Sequence, residues 1–98
     1  MKTFTIAFDV DGTLIGERGS HENILTLLKI LAGFKNVRVI VWSGGGKEYA
    51  ESYVRRLDLE KYVKAVYSKV ACEEEVHIAI DDIHEFNLGH FNLIVRNK

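Results

Sequence analysis

The sequence predicts an α/β fold: a three-layer, Rossmann-like domain with a parallel sheet of about five strands and helices on both sides. Short apolar runs rich in β-branched residues alternate along the chain with segments whose apolar residues recur at helical spacing. Polar residues or glycines follow these runs, at the positions where an open α/β sheet has its ligand-binding edge. The sequence has no proline, repeat or low-complexity linker, so residues 1–98 are predicted to form one domain.

The first strand, a loop and the first helix are predicted in the N-terminal third of the chain. Residues 4–8 become continuously apolar, as in a strand that is covered on both faces. Residues 12–20 contain three glycines and are predicted to form a loop or small flap. Ser20 is expected to cap the next helix, whose apolar spacing begins at Ile24 and which Gly33 ends.

The rest of the chain continues the alternation of strand and helix. Tyr49 and Tyr53 lie on the apolar face of the second helix and are therefore expected in the core. Strands are predicted at residues 37–42, 63–67, 76–80 and 92–95, and helical segments at residues 47–59, 70–75 and 83–88, the last ended by Gly89.

The residues that can carry chemistry follow the predicted strands. Because the carboxyl ends of parallel strands share one edge of a sheet, these residues are expected to converge there. They are Asp9 and Asp11 after the first strand, Ser43 with Gly44, Gly45 and Gly46 after the second, Lys69 near the end of the third, and Asp81 and Asp82 after the fourth.

This set of residues is suited to phosphoryl transfer. Several carboxylates placed close together need a cation between them, and oxygen ligands suit Mg²⁺. The glycines let a ligand approach the backbone at the start of a helix, where an anion is favoured. Ser43 can donate to a phosphate oxygen, and Lys69 adds positive charge. Of Asp9 and Asp11, one can attack phosphorus while the other protonates the leaving oxygen and later deprotonates water.

Residues 8–14, Phe-Asp-Val-Asp-Gly-Thr-Leu, resemble the first motif of the haloacid dehalogenase-like (HAD) superfamily. Residues 39–43 resemble its second motif, and residues 78–82 its fourth motif in the adjacent-aspartate form. Lys69 matches the third-motif lysine by its place before the fourth strand. The resemblance implies that Asp9 is the nucleophile and Asp11 the general acid/base. It also implies that Ser43 is the phosphate-binding hydroxyl.

The same resemblance implies a Mg²⁺ site formed by the Asp9 carboxylate, the Asp11 backbone carbonyl and an aspartate of the fourth motif. Adjacent side chains at a strand end diverge, so one of Asp81 and Asp82 is expected to bind the metal directly. In the adjacent-aspartate branch, which includes the 3′-phosphatase domains of polynucleotide kinases, it is usually the second. Asp82 is therefore assigned to the metal and Asp81 to its support.

Two features depart from the larger members of the superfamily. The segments after the first and second motifs are too short for a cap domain, which predicts an open site. An open site suits a macromolecular phosphoester, or a small one if a second subunit of a homo-oligomer covers it. The stretch between Lys69 and Asp81 is also short, which leaves Lys64 as an alternative third-motif lysine.

The sequence therefore predicts a Mg²⁺-dependent phosphomonoesterase that works through an aspartyl-phosphate on Asp9. The alternative is a phosphate-binding or regulatory module on the same fold, without catalysis. A response-regulator receiver domain is a third possibility, but its phosphorylated aspartate follows the third strand. Ser68 and Lys69 stand at that place in this chain, so the order of the motifs argues against a receiver.

Composition indicates which partners and which cellular compartment to expect for the protein. Thirteen basic and fourteen acidic residues nearly balance, so nucleic acid is not indicated as a partner. No apolar run approaches the roughly 20 residues of a membrane span. Cys72, the single cysteine, is expected to be a packing residue, and the absence of a possible internal disulfide favours the cytoplasm. The four histidines lack metal-pair spacing, and residues 73–75, all glutamates, are expected to form a solvated face.

Overall fold

The computed structural model describes residues 2–83 and 89–95. It confirms the predicted α/β fold, with a five-stranded parallel sheet and a separate two-stranded hairpin. The elements in chain order are β1 (Phe4–Asp9), β2 (Ile15–Gly16), β3 (Gly19–Ser20), α1 (Glu22–Ala32), β4 (Val37–Ser43), α2 (Lys47–Arg56), β5 (Ala65–Ser68), a 3₁₀ turn (Lys69–Ala71), β6 (Ile78–Asp81) and β7 (Phe91–Ile94).

The strand order is β5-β4-β1-β6-β7, and all four pairings in this sheet are parallel. Phe8 in the central strand β1 pairs with Val41 of β4 on one side and with Ile80 of β6 on the other. The chain proceeds from β1 outward to β4 and β5, and then crosses β1 to form β6 and β7. The direction of winding therefore reverses beside β1, at the position where open α/β sheets bind their ligands.

The two α-helices among residues 2–83 and 89–95 pack against the same face of the sheet, whereas the sequence predicts helices on both sides. Ile6 and Phe8 of β1 point to that face and share a core with Leu28 of α1 and Val54 of α2. This follows from the alternation of side chains along a strand. The opposite face carries Ala7, Ile40 and Trp42, which pack with Val76, while Cys72 is packed against this cluster. Trp42 and Cys72 thus serve packing, which for Cys72 is the role that the sequence predicts.

The one or two turns of helix predicted at residues 70–75 are reduced in the structure to the 3₁₀ turn Lys69–Ala71. The chain then continues without a helix to β6. Glu74 holds this segment against the sheet through a two-point ion pair with Arg38, with N···O distances of 2.6 and 2.9 Å. The Tyr67 hydroxyl also donates to Glu74, at 2.7 Å. Glu74 is therefore a sheet-facing anchor and not part of a solvated face.

Two further local predictions concern the ends of α1 and the residues that follow β6. Ser20 does not cap α1: the N-cap is His21, and the Ser20 hydroxyl instead donates to Glu22 at 2.8 Å. Gly33 ends α1 as predicted. The helix predicted at residues 83–88 lies outside the described residues except for Ile83, which is not helical. In the described ranges, no helix has both the length and the apolar character needed to cross a membrane.

Candidate active site

Asp9 and Asp81 end the neighbouring parallel strands β1 and β6, so their side chains meet at the sheet edge. Both residues are buried, with 4% and 3% of their surface exposed. Lys69 reaches them from the first position after β5: its Nζ lies 2.9 Å from Asp9 Oδ1 and 2.6 Å from Asp81 Oδ2. Lys69 is therefore at the site that the sequence predicts for it. The alternative, Lys64, is exposed and precedes β5, at the opposite end of that strand.

Asp82 completes a cluster of three carboxylates. Asp9, Asp81 and Asp82 each offer an oxygen within 4.8 Å of the other two. Both Asp81 oxygens have donors, since Oδ2 binds Lys69 and Oδ1 accepts the backbone N–H of Ile83 at 3.0 Å. Asp82 Oδ1 is buried and has no hydrogen-bond partner in the described part of the chain. A buried carboxylate oxygen without a donor is chemically able to serve as a metal ligand.

The backbone of Gly12 lies close against the Asp82 carboxylate. Its φ of +82° is a backbone conformation that favours glycine, and a Cβ at this position would collide with Asp82 Oδ2. The loop that follows β1 therefore approaches the loop that follows β6 without an intervening side chain. Gly12 of the first motif thus has a steric role, in addition to the chemical roles predicted for Asp9 and Asp11.

The charges in this cluster do not balance. Burial raises the pKa of Asp9 to about 7; Lys69 opposes this shift and the Asp81 charge adds to it. Burial and the neighbouring Asp81 also raise the pKa of Asp82. Burial disfavours the Lys69 ammonium, but its bonds to Asp81 and Asp9 raise its pKa above the ordinary value. Three carboxylates facing one ammonium leave excess negative charge, so the donor set fits an oxygen-seeking divalent cation such as Mg²⁺.

The turn from Ser43 to Gly46 joins β4 to α2 at the same sheet edge. Ser43 is buried, and its Oγ accepts the Gly45 N–H at 3.0 Å, which leaves the hydroxyl proton available to another acceptor. Gly46 is the N-cap of α2 with a φ of +108°, and it has no side chain to cap the helix. No atom lies within 4 Å of a Cβ built on Gly44. The helix start is therefore open to an anion such as phosphate.

Asp11 stands apart from the three-carboxylate cluster. Its carboxylate is exposed, and its Oδ1 accepts a hydrogen bond of 2.7 Å from the Tyr49 hydroxyl. Tyr49 is half-buried, and its ring carbons lie 3.2 and 3.3 Å from a Cβ built on Gly45. The placement of Tyr49 in the core is thus only half right, since its polar end reaches a predicted catalytic carboxylate. The apolar spacing of α2 identified the buried ring but carried no signal for the partner of the hydroxyl.

Thr13 is a residue of the candidate site to which the sequence motifs assign no role. It is buried, and its hydroxyl donates to Asp9 Oδ2 at 3.4 Å. Its carbonyl oxygen lies 2.8 Å from His21 Nδ1. Through these two contacts, the chain that leads to α1 is tied to Asp9. The hairpin of β2 and β3 lies between Thr13 and His21, and it forms the small flap that the sequence predicts.

Taken together, one edge of the sheet holds a carboxylate nucleophile candidate, an ammonium, a metal-compatible carboxylate cluster, a free hydroxyl and an uncapped helix start. Such a set can bind a phosphoryl group and stabilise the charge on it during transfer. Comparisons of the chain with models of known protein families, with curated proteins and with solved structures find no match.

Proposed function

We propose that this protein is a Mg²⁺-dependent phosphomonoesterase of the HAD type, a hydrolase that works through an aspartyl-phosphate on Asp9. One observation carries the proposal: Asp9 is held by Lys69 beside the adjacent pair Asp81 and Asp82, at the winding reversal of a parallel sheet. The sequence resemblance supplies the roles, and the contacts among Asp9, Lys69 and Asp81 support the proposal.

The Asp9 and Asp82 carboxylates and the Asp11 backbone carbonyl are the groups that would hold Mg²⁺. Its contribution when bound is to offset the negative charge on the phosphoryl oxygens. Asp81 supports the site, because it fixes Lys69 and accepts the N–H of Ile83. Lys69 in turn favours the ionised form of Asp9, which is the form that attacks.

In the first half-reaction, an Asp9 oxygen forms a bond to phosphorus as the bond from phosphorus to the leaving oxygen breaks. Asp11, protonated, gives its proton to that leaving oxygen, and the alcohol departs. In the second, the Asp11 carboxylate takes a proton from water, whose oxygen bonds to phosphorus as the bond to Asp9 breaks. Inorganic phosphate leaves, and Asp9 and Asp11 return to their starting states. Ser43 donates a hydrogen bond to a phosphoryl oxygen throughout.

The substrate class is a phosphate monoester, either a small molecule or an accessible group on a macromolecule. The residues that carry the proposed chemistry lie on the sheet edge and its loops, and their proposed contacts are with the phosphoryl group and the leaving oxygen rather than with the rest of the alcohol.

We place the protein in the cytoplasm, on the grounds that its single cysteine, Cys72, cannot form an internal disulfide.

The test is turnover of p-nitrophenyl phosphate and a panel of phosphorylated metabolites, with Mg²⁺ or with a chelator. We expect activity that requires the metal and that Asp9→Asn lowers by more than about 10³-fold. Asp58→Asn is the matched control, because Asp58 is exposed after α2 and its positive φ of 57° suits asparagine. Acid-quenched protein should carry a phosphoryl group on Asp9. Phosphate binding with no turnover of any ester would favour the binding module instead.

A further inference from the structure

The Asp11 carboxylate is fixed by one tyrosine. Among the residues that the structure describes, Tyr49 is the only hydrogen-bond partner of this side chain, at 2.7 Å. Asp11 is exposed and lies on a turn whose next residue is Gly12, so little else restricts its rotamer. An acid that delivers a proton to a particular oxygen gains from being held in one orientation. Tyr49 can provide that orientation only if its own ring is fixed.

Three contacts fix the Tyr49 ring. It lies in the first turn of α2, against Gly45, where the built Cβ would be 3.2 Å from the ring. Its other neighbour is Tyr53, one helical turn further on, with ring centroids 5.1 Å apart and an interplanar angle of 60°. The ring also packs on the core beneath α2. These contacts therefore hold the Tyr49 hydroxyl in a fixed position, beside the turn expected to bind phosphate.

We propose that Tyr49 is a positioning residue for the acid/base Asp11: it holds the carboxyl on the α2 side of the site, beside Gly45, where the leaving oxygen departs. This inference rests on the proposed phosphatase function. Tyr49 engages Asp11 Oδ1 and leaves Oδ2 to carry the proton that is given to the leaving oxygen. Tyr49 keeps its own proton throughout, and the exchange of protons takes place between Asp11, the leaving alcohol and water.

This role predicts a dependence on the leaving group. An ester of a strongly acidic phenol needs little help from a proton donor as the bond to phosphorus breaks, whereas an ester of a weakly acidic phenol needs more. Loss of the Tyr49 hydroxyl should therefore slow the second kind of ester selectively. The ratio kcat/KM isolates this effect because it reports steps only up to formation of the phosphoenzyme, and so excludes the later attack of water.

The experiment compares kcat/KM for p-nitrophenyl phosphate and phenyl phosphate in the full chain carrying Tyr49→Phe. We expect a loss of about tenfold on phenyl phosphate and less than about threefold on p-nitrophenyl phosphate. Asp11→Asn should give the same pattern with larger losses, and adding Tyr49→Phe to it should cause no further selective loss. Tyr62→Phe, at a half-buried tyrosine beyond the end of α2, is the control and should leave both values unchanged.

Phenylalanine retains the ring contacts with Gly45 and Tyr53, and circular dichroism checks that the variant is folded. Equal losses on the two esters would overturn the positioning role, as would losses that multiply fully with those of Asp11→Asn. Failure of the phosphatase proposal looks different: the unmodified chain would turn over neither ester, or Asp9→Asn would retain activity. Either of those results removes the reaction that Tyr49 is proposed to assist, and the positioning role with it.

Discussion

Asp81 and Asp82 are adjacent in the sequence, but the partners of their carboxylates differ. Asp81 accepts from the Lys69 ammonium and from the N–H of Ile83. Asp82 lies over Gly12 with one buried oxygen that no donor in the described chain reaches. Asp81 therefore holds other groups of the site in place, and Asp82 has an oxygen available to bind a cation.

Exchanging each of these aspartates for asparagine should separate the two roles. Asp82→Asn should lower Mg²⁺ affinity by at least about tenfold, because a charged metal ligand is lost. The free energy of unfolding of the metal-free protein should stay the same or rise, since a negative charge is removed beside Asp9 and Asp81. Asp81→Asn should instead lower that free energy, because Lys69 loses its shorter ion pair.

Calorimetric titration with MgCl₂ and thermal unfolding in a chelator measure these two quantities. Asp58→Asn serves again as the exposed control. If Asp81→Asn weakened Mg²⁺ binding more than Asp82→Asn does, the assignment of the metal ligand would have to be reversed.

Gly12 provides a steric test of the same site. In Gly12→Ala, the new methyl group would displace the Asp82 carboxylate and the φ of +82° would be strained. We expect a loss of about 1–2 kcal/mol in the free energy of unfolding, together with a Mg²⁺ affinity close to that of Asp82→Asn. Gly19→Ala is the matched control, because its φ of +108° carries similar strain while its Cβ meets no atom within 4 Å. Equal effects of both variants on Mg²⁺ affinity would contradict the contact between Gly12 and Asp82.

At the scale of elements, the connection from β5 to β6 is the unusual part of the sheet. A parallel connection commonly crosses a sheet through a helix, but here a single 3₁₀ turn precedes an irregular segment. The Arg38–Glu74 ion pair and the Tyr67 hydroxyl fasten this segment to β4 and β5. Lys69 thus owes its position to the end of β5 and to the carboxylates that it contacts, and not to a following helix.

Glu74→Gln tests this connection. The change keeps the size of the side chain and removes its charge, so one ion pair with two hydrogen bonds is weakened. Because Arg38 is partly exposed, we expect a loss of only about 1–2 kcal/mol in the free energy of unfolding, measured by urea denaturation. Glu73→Gln, at an exposed neighbour, should have little effect. A loss no larger than that of the control would mean that the ion pair does not stabilise the connection.

Local patterns in the sequence predicted the elements that are amphipathic or continuously apolar. The start of α2 at Lys47 and the strands around Phe8 and Val41 belong to this class. The connection at Glu74 could not be predicted in this way, because its partner Arg38 is 36 residues away and pairing depends on the folded register. Ser20 is a milder case: two polar residues precede α1, and local spacing does not decide which one caps it.

The residues of the candidate site also differ in whether local sequence patterns could predict their contacts. Asp9, Ser43, Lys69 and Asp81 follow strands, so the strand order alone predicts that they converge. The contact of Tyr49 with Asp11 depends on the side-chain direction at the start of α2, which hydrophobic spacing does not specify. The division of labour between Asp81 and Asp82 likewise depends on how close Gly12 lies.

At the scale of the whole molecule, the formal net charge of −1 conceals an uneven distribution. Three of the carboxylates face one ammonium at a single edge of the sheet. Burial there raises the pKa of Asp9 to about 7, well above its value in an unfolded chain, about 4. The folded protein therefore favours protonated Asp9. The resulting stabilisation is fully present below about pH 4 and is lost as pH rises through 7.

The metal-free protein should accordingly become less stable between about pH 4 and pH 7, and Asp9→Asn should make this dependence shallower. Added Mg²⁺ should stabilise the unmodified protein more at the upper end of this range, because its ligands are then ionised without competition from protons. Thermal unfolding in a chelator and with excess Mg²⁺, across this pH range, measures both effects. A metal-free melting temperature that rises with pH, and does so equally in Asp9→Asn, would contradict the proposed charge imbalance.

The small hairpin of β2 and β3 also matters for protein design. Its turn residues, Glu17 and Arg18, are exposed, and in the described residues the hairpin is separate from the five-stranded sheet, with one further bridge from Ile15 to Asp11. The chain leaves the sheet after Asp9, forms the hairpin from Ile15, and continues to α1 through His21, whose ring contacts the Thr13 carbonyl. Exposed turns of this kind accept inserted segments without loss of the fold. A designed peptide or small domain placed between Glu17 and Arg18 would thus project beside the sheet edge that holds Asp9 and Asp81 while the five-stranded sheet stays intact, which makes this chain a small scaffold for insertions next to the candidate site.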